Sequence, residues 1–174
     1  MNSTSANLTN AGILTRWQVK ETILVLIATM MMPLLVHLIP AGNGVMLGSM
    51  LLPLFYAPLV ALILFRWHTA LIAGVLAPVL NYLIMGHPLP EMVVQMCTEM
   101  LIFVLAANYL LRIRWTKFIA APVAYLLAMA GAILVLSTFT DIATSGVWQI
   151  VKACWPGLLI LSVITMVTLK IRKQ

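Results

Sequence analysis

Apolar residues run along this chain in six long stretches, parted by short polar or Gly/Pro-bearing breaks. Each stretch is close to the roughly 20 residues a helix needs to cross a bilayer. The pattern predicts helices over about 19–39, 47–65, 69–85, 91–111, 118–139 and 147–169. The first three carry internal prolines, at Pro33, at Pro53 and Pro58, and at Pro78. A proline removes one helical hydrogen bond, so neighbours must compensate. The breaks are Pro40 to Gly44, Arg66-Trp67-His68, Gly86 to Pro90, the basic run Arg112 to Lys117, and Thr140 to Gly146. The chain thus divides into a polar tail over 1–18, a six-helix domain over 19–170 and a basic tail over 171–174. Residues 1–15 lack a positively charged n-region, and the first apolar run, which follows Arg16 and Lys20, has no small-residue cleavage site after it, so it reads as a retained helix rather than a signal peptide.

Composition turns that pattern into a class. Of 174 residues, 63% are hydrophobic and 8% charged, against a soluble norm of roughly 25% charged. An ordinary water-soluble globule is excluded, and so is disorder, which needs low hydrophobicity and high net charge. Six spans use roughly 120 residues and leave about 50 for turns and tails. The expected fold is an all-α membrane protein, with six transmembrane helices in one compact bundle and no second domain.

The formal charge of +6 adds the topology. Nine of the ten basic residues fall at ends that six crossings place on one side: Arg16, Lys20, Arg66, Arg112, Arg114, Lys117, Lys170, Arg172 and Lys173. The positive-inside rule makes that side cytoplasmic, with both termini on it. The same distribution argues for a bilayer partner and against nucleic acid. The expected location is a prokaryotic cytoplasmic (inner) membrane, multi-pass. Cys97 and Cys154 lie inside apolar runs and give no disulfide framework. Alanines and glycines recur four apart, as at Ala57 and Ala61 or Ala70 and Gly74. Such spacing lets membrane helices approach closely, either within the bundle or at a docking face for a membrane partner.

Polar residues inside the spans carry the candidate chemistry, because an ionisable group there is costly and usually functional. On the fourth helix Glu91, Gln95, Thr98 and Glu99 fall within an arc of roughly 100°. On the sixth, Trp148, Lys152 and Trp155 share a face, with Gln149 beside them. Both helices begin at the outer surface, so Lys152 and Glu99 can pair at similar depth. Glu91 alone also reads as a helix-start residue favoured by the macrodipole, and Trp148 as part of an interfacial aromatic belt. Together these residues suggest an outward-facing cavity, with carboxylates on one wall and indole and ammonium groups opposite. Asn43, Asn81, Tyr82, His87 and Asp141 lie near the same outer ends. The three histidines show no metal-ligand spacing, and no P-loop, GxSxG or HExxH occurs. Neither an enzyme nor a bound metal or cofactor is expected, and any active uptake would draw its energy from another subunit.

The stretch from His37 to Pro90 resembles the substrate-binding S-components of energy-coupling-factor (ECF) vitamin transporters. The matching pieces are Pro40-Ala41-Gly42-Asn43-Gly44, Leu52-Pro53, Trp67 with Ala70 to Gly74, Ala77-Pro78 and Gly86-His87-Pro88. The resemblance implies a six-helix substrate-capture subunit for a vitamin or related micronutrient. Its site would draw on the loop after the first helix and the outer parts of the last three. The resemblance also implies a membrane coupling subunit and two cytosolic ATPases as partners, docked through the first three helices. The docking residues would be Ala28, Ala57, Ala61, Ala70 and Gly74. The family's Ala-x-x-x-Ala on the first helix is half present, since Ala28 is followed by Met32. Two carboxylates without an outer arginine favour a cationic or amine-bearing ring compound. The alternative is a non-transporting membrane scaffold: the rod-shape subunit of the MreD type is similar in size and helix number.

Overall fold

The computed structural model describes residues 16–37, 50–86, 89–113, 115–137 and 154–172. They form six α-helices and, among the described residues, no strand. We number them α1 (Arg16–His37), α2 (Tyr56–Leu64), α3 (Trp67–Met85), α4 (Pro90–Arg112), α5 (Ala120–Ser137) and α6 (Trp155–Arg172). A 3-10 turn, Pro53–Phe55, leads into α2. Four helices, α1, α3, α4 and α6, are long and apolar enough to cross a membrane, while Pro53–Leu64 and Ala120–Val135 are shorter apolar helices.

The helix ends follow from local chemistry. Pro90 opens α4 at a position whose N–H would have no intrahelical partner anyway. Pro33 and Pro78 sit inside α1 and α3 without ending them. Gly86 closes α3 in the left-handed region, at φ 69°, and its N–H donates to the Tyr82 carbonyl at 2.8 Å. Glycine suits that conformation because it has no Cβ to clash. Between α2 and α3 the chain turns in two residues: the Phe65 N–H donates to Ala61 O, and Arg66 is extended.

The run expected as one helix over 47–65 is broken at Leu52. Leu52 has φ 55°, a left-handed conformation that a non-glycine residue adopts at a cost of about 1–3 kcal/mol. The continuation explains the break, because a proline follows and disfavours a helical residue before it. Three contacts hold it. The Tyr56 hydroxyl donates to the Leu51 carbonyl, the Phe55 N–H donates to Leu52 O at 3.1 Å, and the Leu52 side chain is buried. Gly157 of α6 lies against the same backbone. A Cβ there would stand 2.7 Å from the Met50 carbonyl oxygen and 2.8 Å from Leu52 Cγ.

The packing is small inside and large outside. α3 packs on α1, α2 and α4; α5 packs on α4; α6 closes the bundle against α2 and α5. Ala61, Ala70, Ala73, Ala107, Ala124 and Ala128 are wholly covered, whereas Leu24, Leu83, Ile84 and Leu134 are each more than 60% exposed. Contiguous apolar surface on this scale is not tolerated in water, but it suits hydrocarbon, where helices associate through close backbone approach. Two buried threonine hydroxyls are satisfied within their own helices. Thr29 and Thr165 donate to the carbonyls four residues back, at 2.7 Å each, as membrane helices require.

That interior absorbs most of the small residues assigned above to docking. Ala57, Ala61, Ala70 and Gly74 are buried in the bundle. Gly74 faces Pro58 and Met100, within 3.7 Å of a Cβ built on it. Of the two readings of these residues, internal packing is the one their burial supports. A partner would have to displace that packing to touch them. Ala28 is half-buried on α1.

Candidate binding site

The site expected from sequence is described on α3, α4 and the start of α6. Asn43, His87, Trp148 and Lys152 lie outside the described residues, as do Gln149, Asp141 and the Gly42–Gly44 loop. The Lys152–Glu99 pair therefore falls outside them too.

α4 does bring Gln95 and Glu99 together. One helical turn separates them, so their side chains stack on one face. Gln95 Nε2 donates to Glu99 Oε1 at 2.8 Å, and both residues are half-buried. That bond uses one of the amide's two N–H donors, leaving the other N–H, the Gln95 carbonyl and the rest of the carboxylate to meet a ligand. Among the described residues no cation stands in ion-pair range of Glu99. Thr98 does not join the pair, since its hydroxyl donates to Val94 O at 2.8 Å. Glu91 is exposed in the first turn of α4, a place where the helix dipole favours negative charge.

The orientation of the pair follows from its neighbours. Cys97 Sγ lies 3.4 Å from the Val75 carbonyl of α3, so that face of α4 looks at α3. Gln95 and Glu99 are each two positions from Cys97, about 160° round the helix. Ile102, one turn on from Glu99, meets Gly131 of α5. The pair therefore lies on the α5 side of α4. Asn81 belongs to α3, the helix that the Cys97 face of α4 looks at. The Asn81 Oδ1 atom is buried without a hydrogen-bond partner, an arrangement uncommon in folded proteins.

Tyr125, a residue the sequence pattern did not single out, completes the surroundings. Tyr125 of α5 is buried within electrostatic reach of Glu99. Its hydroxyl lies 3.6 Å from Cys154 Sγ, at the start of α6. Its ring packs edge-on against Phe55, which packs edge-on against Phe103 in turn, with centroids 5.1 and 4.9 Å apart. A tyrosine alone among alanines and leucines was the available signal. Trp155, expected as a stacking wall, opens α6 and is 60% exposed. Cys97 and Cys154 have different partners, Val75 and Tyr125. No group of three metal-ligating side chains occurs among the described residues.

No family model, curated protein or solved structure matches the chain.

Proposed function

We propose that this chain is a membrane-embedded capture subunit for a small micronutrient-like solute. A separate coupling subunit and ATPases of the ECF type would supply the energy for uptake. One observation carries the reading: a carboxylate, Glu99, sits two and a half turns into an apolar helix, held by Gln95 and without a cation among the described residues. A bilayer-spanning bundle has no structural need for such a group, and its cost is usually repaid by function. The acceptors left on Gln95 and Glu99 suit a ligand rich in N–H donors, such as an amine-bearing ring compound. In this reading all six helices cross the membrane and both termini are cytoplasmic.

The test is native mass spectrometry of the detergent-purified protein, with organic extraction of any bound molecule. One small molecule per chain, lost in Glu99→Gln and kept in Asn81→Leu, is the expected outcome. Retention of the ligand by a folded Glu99→Gln protein would remove the pair from the site. Asn81→Leu serves as the control because Asn81 belongs to α3, the helix that the opposite, Cys97 face of α4 looks at.

A further inference from the structure

At the opposite end of α4 from Glu91, three arginines from distant parts of the chain line one cavity. They are Arg66 between α2 and α3, Arg112 at the end of α4 and Arg172 at the end of α6. The cavity has a volume of about 420 Å³. Its apolar lining comes from Leu62, Phe65 and Leu111. Asn108 adds an amide, and the Trp67 and His68 rings, tilted by 33° with centroids 3.8 Å apart, complete the lining.

A topological bias in charge accounts for arginines on one side of a membrane, but not for their convergence on one cavity. Among the described residues none of the three guanidinium groups has a carboxylate or hydrogen-bond partner. The chain has only four acidic residues. Glu91 and Glu99 are about 30 Å and about 20 Å from Arg112 along α4, at 1.5 Å per residue. Glu21 does not line the cavity, and Asp141 lies outside the described residues. The three side chains are solvent-exposed and border one cavity, open to an anion from outside the chain, and arginine's planar fork matches phosphate oxygens.

Depth and shape narrow the choice. α4 has 23 residues, about 34 Å at 1.5 Å each, enough to cross a hydrocarbon core of roughly 30 Å. Arg112 at its end is then level with lipid headgroups. Trp115, 92% exposed in the next turn, sits where interfacial aromatics gather. The cavity is several times larger than inorganic phosphate needs, and its apolar lining suits the glycerol and first acyl carbons of a lipid. Basic pockets between membrane helices at the cytoplasmic face bind such headgroups. We infer that this cavity binds the phosphate of an anionic phospholipid, with Arg66, Arg112 and Arg172 as its ligands. The site is separate from Glu99 and does not depend on the transport reading.

The test uses the full chain in detergent, with native mass spectrometry of lipid adducts. Phosphatidylglycerol and phosphatidylcholine are added at equal concentration, with and without millimolar inorganic phosphate. Two variants of matched charge are compared, Arg66→Gln/Arg172→Gln and Lys117→Gln/Lys170→Gln. Phosphatidylglycerol should be retained over phosphatidylcholine and survive the phosphate. The arginine variant should lose its retention by about tenfold or more, at a per-charge contribution typical of anionic surfaces, while the lysine variant keeps it. Equal loss in the two variants would reduce the effect to general surface charge and overturn the site. Displacement by inorganic phosphate would assign the cavity to a soluble phosphate and overturn the lipid. Equal retention of the two lipids in the unaltered protein overturns it as well, and that arm needs no variant to fold.

Discussion

Two glycines separate what is rigid from what can yield. At Gly157 an added methyl meets backbone, the Met50 carbonyl at 2.7 Å, on a segment already held in a left-handed conformation. At Gly131 it meets only the tip of Ile102, at 2.8 Å, and a side-chain end can rotate away. Gly157→Ala should therefore destabilise the protein by about 1–3 kcal/mol, the usual cost of overpacking. Gly131→Ala should stay within about 0.5 kcal/mol of the parent. Thermal unfolding in one detergent, followed by circular dichroism, measures both. Equal Tm values for the two variants would mean that α6 does not depend on close approach at Gly157.

At the scale of elements, Phe103 ties α4 to the entry of α2, and Phe55 carries that contact on to Tyr125 of α5. Phe103 is fully buried. Since lipid is as apolar as this interior, the transfer term falls away and the cavity term remains. Phe103→Ala should then cost about 3 kcal/mol, the low end for such changes, whereas Phe103→Leu should recover most of it. Denaturation midpoints of the two variants check this. Much of this layer is legible in the amino-acid sequence. Helices α1, α3, α4 and α6 stand where long apolar runs end in Pro, Gly or Arg. The Gln95–Glu99 bond is legible too, because helical spacing alone makes those positions neighbours. The break at Leu52 is not: a run that is apolar throughout carries no register, so Pro53 could be tolerated inside a helix, as Pro78 is, or end one. The burial of Asn81 Oδ1 and the Tyr125–Cys154 contact are tertiary and leave no periodic trace.

For the whole molecule, charge counting assigns the basic ends one by one to a side, and the arginine cavity joins three of them in space. Their convergence cannot be read from such counting, since it depends on which helices are neighbours. In the six-crossing arrangement, a fluorescent protein fused after Gln174 should fold and fluoresce in the cytoplasm. A cysteine placed at Trp115, in a background without Cys97 and Cys154, should react with impermeant maleimide only after the membrane is opened. Labelling of intact cells at that position would reverse or reduce the crossings.

The contact between Gly157 and the Met50–Leu52 backbone also bears on how the chain is made. The helical stretch after the break, Pro53–Leu64, is too short to be recognised alone as a crossing segment. The surface that secures its entry belongs to the last helix, about a hundred residues later in synthesis. The second helix therefore reaches its final seat only once α6 has left the ribosome. Until then the nascent protein offers the insertion machinery and its quality-control proteases an unfinished bundle.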